Sequence, residues 1–169
     1  MFKEHDVVVY GAQGVCEIVA IEQRKVDGEN RQYFVLKPQN DNGATCYVPT
    51  WNEKAWGKMR RVMTKQEVHA LIDSMPDKTP LWIDNDNERK EAYRQTLAGG
   101  DHAAIISMVQ ALFLHKKQRQ AAGKRLHVSD EHFMKDAEQI LYNEWQYVLN
   151  MDKETLMAYI LDRIERASR

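Results

Sequence analysis

Little in this chain of 169 residues points to covalent staples, metals or membranes. Its two cysteines, Cys16 and Cys46, fall in segments that read as strands and show no CxxC or His-Cys spacing, which favours buried reduced thiols over a disulfide or a metal site. The six histidines are scattered, and the nearest pair, His127 and His132, does not stack on one helix face, so no metal is expected. Apolar runs are short. The segment from Ala103 to Met108 is far from the roughly twenty residues that span a bilayer, and Met1-Phe2-Lys3-Glu4 opens no signal peptide, so a cytoplasmic protein is expected. No Walker motif, Ser/His/Asp arrangement or paired-carboxylate spacing stands out, so no ATPase, no other enzyme and no cofactor is expected. What is present is an ordinary globular balance, 43% hydrophobic and 29% charged, with room for one or two small domains.

The stretch Val7 to Ile18 holds two apolar segments around Gly11-Ala12-Gln13-Gly14. A GxxG loop can bring main-chain amides up to a phosphate, but that use needs a helix to follow. Glu17 to Glu22 has a period near two instead, so a tight turn between strands is the stronger reading. Further strands are expected from Val15 to Val26, Tyr33 to Pro38, Ala44 to Pro49 and Met59 to Met63. Asp27-Gly28 and Asn40-Asp41-Asn42-Gly43 supply reversals between them. Five short strands in residues 1–63 suggest a small SH3-like or Tudor-like barrel.

The period changes at Thr64-Lys65-Gln66-Glu67, which has the pattern of a capping box ahead of Val68, Leu71, Ile72 and Met75. A loop bounded by Pro76 and Pro80 and the segment Leu81-Trp82-Ile83 lead into a polar helix from about Asp84 to Leu97, which Gly99-Gly100 stops. Asp101 is expected to cap a helix with Ile105, Met108, Val109, Leu112 and Phe113 inward. Ser129 is expected to cap another, with Met134, Ala137, Leu141, Trp145 and Val148 inward. Asp152 is expected to cap the last, with Met157, Ile160, Leu161 and Ile164 inward. The fold expected is therefore α+β: a β barrel over 1–63 and an all-α bundle of about five helices over 64–169.

A net charge of −1 argues against a protein that coats nucleic acid unaided, because nonspecific affinity scales with the phosphates neutralised. The charge is unevenly spread, however. From His102 to Val128 there is no acidic residue, while Lys116, Lys117, Arg119, Lys124 and Arg125 cluster near a helix end. Favourable interaction with the helix dipole accounts for the first two lysines without a ligand. The alternative is a DNA backbone contact that operates once a tether has raised the local concentration.

A small β barrel followed by a helical bundle with a basic patch and a loop tryptophan resembles the CarD/CdnL family of bacterial transcription regulators. The resemblance runs nearly the whole chain. It rests on Phe2-Lys3 with Asp6 to Tyr10, Gly14-Val15, Tyr33 to Pro38, Val48-Pro49, and Leu97-Ala98-Gly99-Gly100-Asp101, taken in order and spacing. It implies a barrel that binds the β subunit of RNA polymerase and a helical domain that touches promoter DNA. The opening hairpin would then help present a strand edge and polar side chains to polymerase.

The polymerase contacts implied by the resemblance fall on Arg24, Thr45, Tyr47 and Pro49. Arg24 matches a family arginine, whereas Tyr47 stands where the family carries a second one, and tyrosine is itself a common interface anchor. The DNA contacts implied fall on Trp82, Arg89, Lys90, Lys116, Arg119, Lys124 and Arg125. Trp82 is the expected wedge, the alternative being that it folds back into the bundle, and it is separated from Arg89 and Lys90 by the acidic stretch Asp84 to Glu88, which would repel phosphate if it faced the DNA. Of the other tryptophans, Trp145 reads as core, and Trp51 and Trp56 as a seal between barrel and bundle. The function expected is stabilisation of the promoter open complex. The alternative is an adaptor whose barrel binds another partner and whose bundle is only a scaffold.

Overall fold

The computed structural model describes residues 1–39, 44–75 and 82–167, and the chain divides into two units, Met1–Met63 and Thr64–Arg169. In the first, Val7–Tyr10 (β1) reverses through a 3-10 turn, Gly11–Gln13, into Val15–Val26 (β2). Gly11 and Gly14 have φ of 46° and 72°, which residues with a Cβ seldom adopt, and the Gly14 N–H donates to the Gly11 carbonyl at 3.3 Å. The GxxG stretch is thus a tight turn leading into a strand. Asp27 and Gly28, with φ of 52° and 83°, form the two-residue turn with both angles positive that matches strand twist, so β2 pairs directly with Glu29–Pro38 (β3) from Val26↔Glu29 onward. Cys46–Pro49 (β4), a short helix Glu53–Trp56 (α1) that the apolar pattern does not announce, and Met59–Arg61 (β5) complete the unit.

The strands form one antiparallel sheet in the order β4-β3-β2-β1-β5. Both strands of the opening hairpin are therefore internal, and the edge expected there belongs to β4 and β5. Val8, Cys16, Ile18, Phe34, Leu36, Val48 and Met59 fill the core, each side chain as large as Ile18 contributing about 1.5–3 kcal/mol by burial. Trp56 packs against the same core. Both cysteines are free, and burial pushes the Cys16 thiol up to about 11, which keeps it protonated and unreactive.

Among the described residues the second unit has five α-helices: Lys65–Ser74 (α2), Asp86–Gly99 (α3), His102–Ala121 (α4), Val128–Leu149 (α5) and Lys153–Ala167 (α6). Thr64 and Glu67 close the capping box, Asp101 accepts from the Ala103 N–H, and Asp152 accepts from the Thr155 N–H. Gly100, at φ 68°, ends α3 in the left-handed conformation. Two helix phases differ from those the apolar spacing predicts. Val109 is half-buried and Phe113 is 46% exposed, while Ile106 and Ala111 are buried. On α6, Met157 and Leu161 are exposed and Leu156 and Ile160 are buried, because α6 rests on α2 through Tyr159 Oη to His69 Nδ1 (2.6 Å) and Arg163 to Asp73. Nor does Ser129 cap α5: the helix begins at Val128, after His127, two residues earlier than a Ser129 cap would start it, with Asp130 and Glu131 in its first turn. The expected reversal at Asn40–Gly43 and the loop from Pro76 through Leu81 lie outside the described residues. Among those residues no helix is long and apolar enough to cross a membrane, and no cluster of His, Cys, Asp or Glu could hold a metal ion.

Candidate functional site

The register of the sheet decides which side chains share its outer face. Val35 lies opposite Tyr47, Tyr33 opposite Pro49 and Arg31 opposite Arg24, and residues directly opposite one another in an antiparallel pair project to the same side. Because Phe34 and Leu36 point into the core, this set points out. Three of the four expected polymerase contacts, Arg24, Tyr47 and Pro49, are thereby gathered on one face of β2, β3 and β4. Thr45 is exposed just before β4.

The Arg24 guanidinium sits over the Tyr47 ring, 3.7 Å from its centroid, and Glu22 lies 3.5 Å from Arg24 Nε. Stacking on a ring uses the flat face of a guanidinium and leaves its N–H fork directed outward. Tyr47, where the resemblance places a second arginine, therefore acts as the seat of the first. Sequence reasoning passed over Arg31 and Tyr33 and read Trp51 as a seal between the two halves. Trp51 is 47% exposed, with the Tyr33 ring edge-on at 4.9 Å and Arg31 5.1 Å from its centroid. The cross-strand partners of β3 are the signal that finds them, and that register is not written in any single segment.

In the helical unit, Trp82 is half-buried just before α3. The His115 imidazole stacks on its ring at 3.8 Å and 20°, Arg89 lies 4.5 Å from the ring centroid, and the indole N–H donates to Asp84 Oδ1 at 3.2 Å. Arg89 is not at the surface, which corrects the expectation that it contacts DNA. Its Nε and Nη2 donate to the two oxygens of buried Asp130, Nη2 also to Asp86, and Nη1 to the carbonyls of Ile83 and Asp84. All five N–H groups of the guanidinium are thus engaged, and a phosphate would find none free. Arg89 is a positioning residue that holds the Trp82 loop against α5.

The same network accounts for the acidic stretch beside Trp82. Asp84 receives the indole N–H, and the Arg89 hydrogen bond holds the Asp86 carboxyl below the usual carboxylate range. Burial lowers the His115 pKa, so folding favours the neutral imidazole.

The basic residues continue from this point along α4. His115 and Arg119 are one turn apart, and Arg119 Nε donates to the Arg125 carbonyl at 2.5 Å, which folds the loop after α4 back onto the helix. Lys124 and Arg125 are exposed, Lys90, Lys116 and Arg119 are half-buried, and Lys117 lies over the Phe113 ring at 4.6 Å. Trp82 thus stacks on α4 one turn before Arg119, whose side chain is tied to the Arg125 carbonyl.

The first unit is a small antiparallel β module whose outer face carries aromatic and arginine side chains suited to recognition. Residues 2–63 match the family model of the CarD-like/TRCF RID domain, a segment that coincides with this unit. The match makes residues 2–63 a domain of the CarD-like, RNA polymerase-interacting type. The matched domain supports a transcription-related, RNA polymerase-interacting role and is of a noncatalytic, interaction type. The matched residues are those of the β unit. In the helical unit the resemblance rests on Leu97 to Asp101, where Gly100 and Asp101 have local work as the end of one helix and the cap of the next.

Proposed function

We propose that the β unit docks on the β subunit of RNA polymerase through Arg24, Thr45, Tyr47 and Pro49, and that the helical unit contacts promoter DNA to stabilise the open complex in a bacterial cytoplasm. The observation that carries the docking half is the Arg24–Tyr47 stack on the outer face beside edge strand β4. An exposed edge supports main-chain pairing with an extended partner, and a seated arginine supplies directional charge.

The DNA half is supported by the adjacency of Trp82 to the basic end of α4. Lys90, Lys116, Arg119, Lys124 and Arg125 are the residues proposed to neutralise phosphates, and Trp82 the one to pack at the upstream edge of the bubble in the minor groove. A side chain that packs on unstacked bases binds the melted state better than the duplex, so it shifts the equilibrium by that difference.

Arg24→Glu in the full chain tests the docking half. Its affinity for core polymerase should fall at least about tenfold, since reversal removes one charge pair and adds a repulsion, with the melting temperature held. Unchanged affinity in a folded variant removes Arg24 from the interface. Recovery of another protein from a bacterial lysate, without polymerase, would favour the adaptor reading.

A further inference from the structure

Among the described residues, Arg89, Asp84 and His115 hold the Trp82 ring, and they differ in how firmly each is held in turn. Arg89 is tied to Asp130, Asp86 and the carbonyls of Ile83 and Asp84, so it cannot move aside without leaving buried Asp130 uncompensated. Asp84 accepts the indole N–H at the rim of the ring. The His115 imidazole instead lies 3.8 Å from the Trp82 centroid with the planes 20° apart, where a stacked base would sit. Among the described residues it makes no hydrogen bond, so contact with the ring is what places it. His115 is therefore the member that can yield.

We propose that promoter DNA displaces the His115 imidazole from Trp82, and that the released ring takes up a proton and pairs with a backbone phosphate beside Arg119. This rests on the DNA contacts proposed above and adds a residue and a proton to them. His115 and Arg119 are one turn apart on α4, so an imidazole turned off Trp82 stays at the basic end of that helix. The charged groups that face it are Arg119 on α4, Arg89 on α3, and Asp130 and His127 at the start of α5; Asp84 and Asp86 are engaged by the indole N–H and by Arg89. Burial does most to hold its pKa below the ordinary 6.5, Asp130 opposes, and Arg119, Arg89 and His127 lower it further. The stacked ring is thus neutral near pH 7, whereas a phosphate oxygen beside the same ring favours the imidazolium. A group neutral in the free chain and charged on DNA makes engagement tighter as pH falls.

The test is the lifetime of the open complex formed with the full chain, divided by the lifetime without it, from about pH 6 to about pH 8. In the wild type this ratio should rise several-fold as pH falls, the ceiling for one proton being about tenfold per pH unit. In His115→Gln, which does not titrate, it should be flat. In His115→Lys, a cation throughout that range and unable to stack, it should stay throughout at the level the wild type reaches at low pH. His127→Gln should follow the wild type, because His127 is exposed. Melting profiles identify any variant that does not fold, and His115→Asn, equally unable to titrate, replaces His115→Gln in that event. A rise in His115→Gln equal to that of the wild type, or a flat wild-type profile above a ratio of one, overturns the inference and leaves the DNA-contacting reading standing. A wild-type ratio of one at every pH overturns both.

Discussion

Arg24 and Arg89 both stand in the sequence as arginines that could meet a ligand, and their surroundings separate them. Arg24 is exposed, with its flat face on Tyr47; Arg89 is buried and holds Asp130, Asp86 and two carbonyls. Nothing in the residues from Asp84 to Lys90 reveals this, because the decisive partner, Asp130, is forty-one positions away on another helix. Removing one member of a buried pair leaves the other charged and unsolvated, so Asp130→Ala should lower stability by about 3–5 kcal/mol in urea unfolding. Asp86→Ala, at an exposed carboxylate, should lower it far less. Equal effects would show that the burial of the Arg89–Asp130 pair carries no special weight. His115 was similarly beyond reach, since its stack on Trp82 depends on how α4 lies against the loop before α3.

At the scale of elements, local signals were legible and phases less so. Thr64, Asp101 and Asp152 act as caps because their oxygens meet amides within one turn, a relation held entirely within a few residues. The same holds for the turn at Asp27-Gly28. The inward face of α6 was misread because Met157 and Leu161 are as apolar as Leu156 and Ile160, and only the ties from Tyr159 and Arg163 to α2 choose between them. The basic end of α4 raises a different question, whether its charge meets phosphate or solvent. Each phosphate contact releases roughly one counterion, so replacing both Lys124 and Arg125 with alanine should reduce the slope of log affinity against log salt by about two. A slope equal to wild type would leave those side chains to solvent.

For the whole molecule, what matters is that one unit is of a polymerase-binding type while the other holds an aromatic side chain and a basic helix end together. In the proposed role, a chain tethered by its first unit would deliver the second to promoter DNA at high effective concentration, so that five clustered cations would suffice where a free protein of net charge −1 would bind poorly. The residue that would convert this proximity into a preference for melted DNA is Trp82. Its ring is stacked on His115 at a distance close to that of stacked bases, so an unstacked base can replace the imidazole with little loss of contact. Partial unstacking at the bubble edge costs a few kcal/mol, which an inserted apolar ring offsets. Trp82→Ala should therefore shorten the lifetime of the open complex several-fold, measured by challenge with a competitor, while affinity for core polymerase stays within about twofold of wild type. The melting temperature decides between wedge and core: Trp82 is only half-buried, and the Arg89–Asp130 pair beneath it remains in the variant, so the shift should be small. A large fall in melting temperature, with an unchanged open-complex lifetime in the folded fraction, would assign Trp82 to the packing of the bundle.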